Sequence, residues 1–586
     1  MNKQDYLYRL RHTTEHIFNQ ALEELYPGLV KRAIGPVIDY GWYFDGKLEF
    51  QISPSDFENI EAKMREIINR DLPIVRVEVT YEQAKQMFAN NEFKLELIDE
   101  LEKSGSQITV YYTGDPSDKN SFYDLCAGGH VDRTSEIKYF KLLSIAGAYW
   151  RGDSNREMLT RIYGTTFETE EDLNKFLNMR AEAERRNHRR IGKDLELFAI
   201  FSEIGQGLPV WLPKGYVIRR VLEDYMIKLE RSYEYQHILT PHINNEILFK
   251  TSGHLDFYKE SMYAPINIDD ETYYLKPMNC PAGMMVYKMK IRSYRDLPIK
   301  LGELGTVYRY EQSGELQGLQ RVRGFTQNDA HIFCTPEQIE EQFVEVINML
   351  VRFYKDIGFT NYKYRLSLSD PNNKEKYVGK REDWLAVENT LREVLKKQNI
   401  DFYEAEGEAA FYGPKLDVQA VNVFGKEDTI STIQIDFNLP EKFDLVYVDK
   451  DGNKKRPFVI HRALIGSFER FFAFLIEFYE GDFPVWLAPI QVRLIPVSND
   501  KHLEYTKALY KRFLKDVRVD YDNSNETVGN RIRKAEEEKI PFILVIGDKE
   551  IESNMLMIRD RKSKTQYAIT EEEFVNKVLK LSRLEF

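Results

Sequence analysis

The stretch GTVYRYEQSGELQGLQRVRGFTQNDAHIFC, residues 305–334, decides the fold. Thr306–Glu311 alternates, with Val307, Arg309 and Glu311 on one face. The Gly-containing loop QSGELQGLQ follows, and residues 321–333 alternate again. A period of two places Arg321, Arg323, Phe325, Gln327, Asp329 and His331 on one face. Two such strands around a Gly-rich loop predict an antiparallel hairpin. A polar strand face ordinarily meets water. Here a Phe stands among Arg, Gln, Asp and His, and Val322, Thr326, Ala330 and Ile332 behind it are only modestly apolar, so the polar face is expected to be covered. Arginines beside an aromatic ring suit a nucleotide, the guanidinium for phosphate and the ring for a base.

This hairpin resembles motif 2 of the class II aminoacyl-tRNA synthetases, in its threonyl form. The resemblance implies that Arg309 clamps the α-phosphate of ATP, Glu311 holds the adenine amino group, Phe325 stacks on adenine and Arg321 meets the γ-phosphate. It turns Gln327 and Asp329 toward the amino acid. PKGYVIRRVLEDYMIKLERSYEYQHILTPHI (213–243) resembles motif 1, an amphipathic helix and a strand that form a homodimer interface in the family. HRALIGSFERFFAFLIEF (461–478) resembles motif 3 and is expected to be helical, with Ser467 and Arg470 on one face and Leu464, Phe468, Phe471, Phe472 and Leu475 on the other. An Arg on an otherwise apolar helix needs a partner, and the resemblance makes Arg470's the γ-phosphate. Gln434 in TIQIDF is retained as an ATP contact, whereas Thr429 in GKEDTIS stands where the family usually has a Gln.

Cys280, His331 and His461 come from three separated elements and form no spacing pattern. By the resemblance they match the threonyl family's zinc ligands. Three protein ligands leave zinc an open position, as in reactive sites. An apolar pocket separates isosteres such as threonine and valine only about a hundredfold. A zinc bound by amine and hydroxyl would do better. The resemblance adds Tyr412, Lys415 and Ser467 to a threonine pocket with Gln327 and Asp329. Serine loses only a methyl, roughly 1–3 kcal/mol, so a second, hydrolytic site is needed.

The N-terminal segment offers one. In RLRHTTEHIFNQALEELYPG, Leu7, Leu10, Thr14, Ile17, Phe18, Ala21 and Leu25 form a helical stripe, with His12 and His16 nearly opposite it and one turn apart. A solvated helix face is the plain interpretation. FYDLCAGGHV adds Asp124, Cys126 and His130, and the set reads as metal ligands or as a hydrolytic cluster. These residues, with GPVIDYGWYFDG and AGAYWRGDSNREMLTRIYG, resemble the second additional domain of threonyl- and alanyl-tRNA synthetases. The threonyl form clears seryl-tRNA made in error. The alanyl form resembles a zinc site, whereas the threonyl cluster positions water. AGGH after Cys126 replaces the family's usual RGPH.

The last hundred residues alternate short apolar strands with helical stretches, which predicts a small three-layer or doubly wound α/β unit. They resemble the class IIa anticodon-binding domain, and Asn525, Glu550 and Arg559 match base-reading positions. The expected organisation is multidomain α+β and α/β. It comprises an α+β editing domain (1–170), a helical linker (171–193), an antiparallel-sheet class II catalytic domain (194–485) and an α/β anticodon-binding domain (486–586). Relative to most bacterial relatives, an N-terminal ubiquitin-like domain is expected to be missing.

Composition agrees with this scheme. The 586 residues carry 82 Lys+Arg against 94 Asp+Glu, a net charge of −12, which argues against non-specific coating of nucleic acid but not against local basic sites. Two such sites stand out: the RRNHRR block at 185–190 and the tail 487–586, with 19 basic against 17 acidic residues. Only 3 Cys exclude a disulfide scaffold. The first residues lack the apolar core of a signal peptide, and FFAFLIEF (471–478) and FILVIG (542–547) are too short to span a bilayer, so a cytoplasmic location is expected. The implied chemistry is activation of L-threonine by Mg²⁺·ATP, transfer to tRNA(Thr), one Zn²⁺ per subunit and a homodimer. The alternatives are a class IIa synthetase of other specificity and a non-catalytic RNA-binding paralogue, but the latter would not need the motif 2 and motif 3 arginines.

Overall fold

The computed structural model describes residues 3–153, 155–373, 377, 380–410, 412–422 and 425–584. The chain divides into two compact units, Met1–Ala181 and Glu182–Phe586.

In the first unit, α1 (Lys3–Leu25) lies against a sheet of β1 (Val30–Ile34), β2 (Gly41–Leu48), β6 (Tyr139–Tyr149) and β7 (Met158–Phe167). Its order is β1–β2–β7–β6, all antiparallel. Leu10, Ile17, Phe18, Ala21 and Leu22 of α1 meet Trp42, Phe44 and Ile162 of the sheet and Ile60, Met64 and Ile67 of α2 (Phe57–Asn69). Each fully buried apolar side chain there contributes about 1.5–3 kcal/mol. A second sheet runs β3 (Ile74–Val79), β4 (Ile108–Thr113), β5 (Phe122–Leu125), with α3 (Glu92–Ser104) between β3 and β4 in sequence. The Asn91 side chain caps α3 by accepting from the backbone N–H groups of Phe93 and Lys94, and Gly105 closes it at φ 67°. The alternative of a solvated helix face does not hold: α1 is also buried opposite its apolar stripe, at Glu15, His16, Asn19 and Gln20. Helix α4 (Glu170–Arg186) follows.

The second unit begins with α5 (His188–Asp194) and α6 (Pro213–Ser232). Its main sheet has eight strands. These are β8 (Gln236–His237), β9 (Ile299–Tyr308), β10 (Gly324–Cys334), β11 (Tyr362–Leu368), β12 (Phe402–Glu406), β13 (Lys415–Val421), β14 (Glu427–Asp436) and β15 (Phe458–Ser467). The spatial order is β8–β9–β10–β15–β14–β13–β11–β12, antiparallel except for the two outermost pairs. Between β8 and β9 in sequence comes α7 (Cys280–Lys288); α8 (Ile339–Ile357) follows β10, and α9 (Phe468–Tyr479) follows β15. One face of the sheet (Ala330, Ile332, Ile433, Ile460, Leu464) carries the largest core, closed by Ile218, Leu222 and Met226 of α6, Phe343, Val346 and Leu350 of α8, and Phe471 and Phe472 of α9. The other face carries a smaller core beneath α7, where Leu301, Phe333 and Val459 meet Met284 and Tyr287, and the site.

The hairpin expected from 305–334 is present as β9–β10, but β10 starts at Gly324 and β9 stops at Tyr308. Arg309, Glu311, Arg321 and Arg323 therefore lie in the connecting segment. Motif 3 also departs from expectation: 461–467 is strand, and only 468–479 is helix.

The C-terminal part is a mixed rather than purely parallel sheet. It comprises β16 (Val492–Pro496), β17 (Val519–Tyr521), β18 (Phe542–Ile546), β19 (Met555–Asp560) and β20 (Thr565–Thr570), in order β17–β16–β18–β19–β20. β16, β17 and β18 are parallel, and β19 and β20 antiparallel. Helices α10 (Asn499–Phe513) and α13 (Glu571–Ser582) cover one face. α11 (Val528–Glu537) covers the other, and α12 (Asp548–Ser553) precedes β19. No helix among the described residues is long and apolar enough to cross a membrane.

A fully buried ion pair ties α6 to the main sheet. Arg462 Nη1 on β15 lies 2.7 Å from Glu230 Oε1 on α6. Glu230 also accepts from Asn328 Nδ2 at 2.8 Å, and its other oxygen meets His237 Nε2 at 2.6 Å. Removing one partner strands a charge in apolar surroundings. Arg462→Met is therefore expected to destabilise this unit by about 3–5 kcal/mol. Thermal unfolding should show a lowered midpoint, and adding Glu230→Met should recover most of it; a double variant no more stable than the single one would refute the pairing argument.

Candidate active site

Register sets the composition of the open face. Across β9 and β10, Gly305 opposes Gln327 and Glu303 opposes Asp329. Across β10 and β15, Gln327 opposes Ser467 and His331 opposes His461. Across β14 and its neighbours, Gln434 opposes both His461 and Lys415. The result is a cleft of about 530 Å³. Arg309, Glu311, Arg321, Phe325, Gln327, Asp329, Tyr412, Lys415, Gln434, Ser467 and Arg470 all line it, with Cys280 and His461.

At one end lie the nucleotide candidates. The Arg309 guanidinium sits 5.1 Å from the centre of the Phe325 ring, and its Nε donates to the Pro277 carbonyl at 3.2 Å. Arg321 is held by two carboxylates, Glu311 at 2.8 Å and Glu315 at 3.0 Å. Arg470 Nε donates to the Gln320 carbonyl at 3.0 Å. Burial draws the Arg470 guanidinium below its ordinary pKa; Asp428 opposes this, while Arg309 and Arg321 add to it. Ser467 is not a helix-face residue; it is the N-cap of α9 and accepts from the Arg470 backbone N–H at 3.2 Å. Thr429 lines the cleft with its hydroxyl bonded to Gln419 at 2.9 Å.

At the other end, one donor atom each from Cys280, His331 and His461 lies within 4.8 Å of the others. α7 starts at Cys280 and comes close to the sheet because position 283 is Gly: a Cβ there would stand 3.3 Å from His331 Nδ1. His331 Nε2 is buried without a hydrogen-bond partner among the described residues. His461 Nε2 is taken by Asp436 at 2.9 Å, leaving Nδ1 for a ligand. Burial lowers the His331 pKa to about 4 and raises the Cys280 thiol well above its usual range, with Asp329 and Asp436 adding to the latter. An orphaned imidazole nitrogen, a second imidazole oriented by a carboxylate and a thiol make a soft three-donor set, which fits zinc. Asn279 Nδ2 bonds Asp329 Oδ2 at 3.2 Å, and the Tyr412 ring centre lies 5.7 Å from that of His461, the two rings tilted by 51°. Lys415 is pinned to buried Asp417 at 2.9 Å, and Gln434 donates to the Gly413 carbonyl at 2.9 Å.

The first unit holds a second cluster. Cys126 Sγ lies 3.4 Å from His12 Nε2 and 3.2 Å from His130 Nε2. The ring centres of His12 and His16 are 4.2 and 4.4 Å from that of His130. Thr13 Oγ1 orients His130 through Nδ1 at 3.1 Å. Gly128 and Gly129 sit at φ +110° and +90°. The Pro usual at the second position cannot reach that φ, so AGGH adopts a path closed to RGPH. Burial lowers His12 and lowers His16 and His130 far below the ordinary imidazole value; it raises the Cys126 thiol to about 12. Asp124 does not join the cluster. It forms a buried pair with Lys94 at 2.9 Å and accepts from its neighbour's N–H, and the Lys94 and Arg32 charges outweigh desolvation to keep its pKa low. Sequence reasoning passed over Lys94 and the buried Glu15, whose pKa burial, helped by Asp124, raises to about 8.

The three anticodon candidates are not joined by any bond. Glu550 caps its own helix by accepting from the Gly547 N–H at 2.9 Å, Arg559 pairs with Glu536 at 3.0 Å, and Asn525 is exposed. Asp436 was also missed, although it shares a strand face with Gln434 in TIQIDF and so was open to period-two reading.

Comparison with known proteins bears on all three regions. Residues 262–479 match the tRNA synthetase class II core domain (G, H, P, S and T), 491–581 the anticodon binding domain, and 108–163 the threonyl and alanyl tRNA synthetase second additional domain. The threonine--tRNA ligase of Geobacillus kaustophilus (strain HTA426) is 50% identical over 570 residues, 97% of this chain and 86% of its own length. Threonine--tRNA ligase 1 of Bacillus subtilis (strain 168) is 48% identical over 573 residues, 97% of this chain and 88% of its own length. Among solved structures, the RNA binding domain of threonyl-tRNA synthetase from Cryptosporidium parvum Iowa II superposes with a TM-score of 0.64 at 37% identity, covering 67% of this chain and 98% of that one. A prolyl-tRNA synthetase from Giardia lamblia, at 17% identity and a TM-score of 0.52 over 68% of this chain and 76% of its own, shares the fold. With half its residues identical over almost its whole length and three matched domains, the chain belongs to the threonine--tRNA ligase family, class II synthetases with an editing domain.

Proposed function

We propose that the cleft of the second unit activates L-threonine with Mg²⁺·ATP and transfers it to tRNA(Thr), and that the cluster of the first unit hydrolyses seryl-tRNA(Thr). The observation that carries the first part is the juxtaposition, in one cleft, of the arginine cluster with Cys280 and His461, which His331 joins as the third member of the donor set.

Cys280, His331 and His461 would hold zinc, which supplies a Lewis acid for the amine and hydroxyl of threonine. Asp329, held by Asn279, accepts a hydrogen bond from the hydroxyl; Tyr412, Gln327, Lys415 and Ser467 close the pocket. Phe325 stacks on adenine, and Glu311 accepts from its amino group once ATP displaces it from Arg321. Arg309, Arg321 and Arg470 then neutralise the triphosphate, and Gln434 adds a neutral contact. The threonine carboxylate oxygen bonds to the α-phosphorus while the bond to pyrophosphate breaks, with charge building where the arginines already stand. No side chain is needed as a covalent nucleophile.

In the editing cluster, Cys126 is a protonated thiol and the imidazoles are neutral, which suits positioning and deprotonating a water rather than covalent attack. Asp124 supports the site through Lys94. Asn525, Glu550 and Arg559 would contact anticodon bases, a reading that the anticodon binding domain match over 491–581 supports. Exposed Leu239, Ile247, Met289 and Ile291 beside motif 1 and α7 favour a homodimer.

Cys280→Ser should lose bound zinc and lower threonine-dependent pyrophosphate exchange by more than about 100-fold. An active, zinc-free variant by metal analysis would overturn the zinc assignment. His16→Ala should let seryl-tRNA(Thr) accumulate with exchange unchanged, and unaltered deacylation would reject the editing role. Because burial lowers the His12 pKa and holds His16 and His130 well below 6.5, deacylation should change less than about twofold between pH 7.5 and 6. A fall of about fourfold, as for an exposed histidine, would show that the base is not in the buried cluster.

A further inference from the structure

His188 lies inside the basic block RRNHRR, where a solvated side chain is expected, yet it is 2% exposed. It opens α5 and reaches two elements of the cleft. Its Nδ1 is 2.7 Å from Glu477 Oε1 on α9, and the same oxygen accepts from the His188 backbone N–H at 3.2 Å. Its Nε2 accepts the Leu319 backbone N–H at 3.1 Å. Both side-chain bonds are satisfied together only by the tautomer with its proton on Nδ1.

Leu319 belongs to the turn Gln317–Arg321, in which the Gln320 N–H bonds the Gln317 carbonyl at 2.8 Å and the Gln317 N–H bonds the Arg321 carbonyl at 3.1 Å. The Leu319 side chain is buried in the main core. Gly318 takes φ +51°, and a Cβ there would stand 2.2 Å from His188 Nε2, so the imidazole lies flush against the turn's backbone. The next residue, Gln320, gives its carbonyl to Arg470, and Arg321 follows. The ring therefore links α9, which carries Arg470, to the turn that carries Arg321.

We propose that His188 is a positioning residue for ATP: it sets the turn that presents Arg321 and keeps it in register with Arg470, without touching the nucleotide. The proposal rests on the assignment of this cleft to ATP and threonine. A loose turn would cost the triphosphate contacts and spare the amino-acid end, where no residue bonds His188.

The test is threonine-dependent pyrophosphate exchange on the full-length protein, with KM measured separately for ATP and for threonine. His188→Phe keeps an aromatic ring, though a larger one, and removes both side-chain bonds; it should raise the ATP KM about tenfold, the value of the one bond that holds the turn, and move the threonine KM less than twofold. His188→Gln places an acceptor near the Nε2 position and should bring the ATP KM back to within about threefold of wild type. Glu477→Gln should raise the ATP KM by an intermediate factor, and it carries the test together with His188→Gln if His188→Phe does not fold. An unchanged ATP KM in His188→Phe and Glu477→Gln, equal rises in both KM values, or His188→Gln no better than His188→Phe would overturn the role. Absence of exchange in the wild type would instead strike the assignment of the cleft.

Discussion

The antiparallel pairing of β10 with β15 is the constraint on which the rest depends. His331 opposite His461 brings two of the three soft donors together, and Gln327 opposite Ser467 places the cap of α9 beside the amino-acid end. The side-chain period of a strand is two, so a slip of one residue would send Phe325, Gln327, Asp329 and His331 into the core and bring Ala330 and Ile332 out. The burial of Ala330, Ile332, Ile460 and Leu464 on the far face forbids that slip. Stability and site geometry are thus enforced by the same apolar contacts. The Arg462–Glu230 pair adds a directional tie, because a buried charge tolerates little displacement of its partner.

The arginines proposed to bind phosphate are held by partners within the protein. Arg321 is shared between Glu311 and Glu315, and Arg470 is bonded to a main-chain carbonyl. These partners keep cationic groups folded into the cleft without the desolvation cost of leaving them unpaired, and the proposed triphosphate would replace them with a stronger counter-charge. The editing cluster follows the opposite scheme: its histidines are kept neutral by burial, and its one buried ion pair, Lys94 with Asp124, stands to the side. The cleft of the second unit gathers charge, as the proposed polyanion requires, whereas burial in the first-unit cluster disfavours charge on its imidazoles.

Much of this was legible. Period two identified the face shared by Phe325, Gln327, Asp329 and His331, and the resemblance added Cys280 and His461. The errors have physical causes. Arg321 and Arg323 continue the alternating pattern by chance, but the turn at Gln317–Arg321 precedes the strand. Residues 461–478 read as one helix because Leu464 and Phe468, four apart and both in the core, fit either period, and the irregularity in β15 at Leu464–Gly466 breaks the alternation that would have marked the strand. Helical spacing alone left a solvated face open for His12 and His16, because it says which side a residue occupies, not what covers it; the Cys126–His130 segment meets them there.

By itself the sequence determined the residue types, the strand and helix periodicities and, through its motifs, the family and the reaction. Tertiary structure alone decided which distant groups meet: Asp436 behind His461, Lys94 on Asp124, Glu230 under Arg462 and His188 beneath the turn at Leu319. The reason is that hydrogen bonds and ion pairs act over about 3 Å in space and carry no trace of separation along the chain. Periodicity reports the direction of a side chain, and only the packed fold supplies its partner.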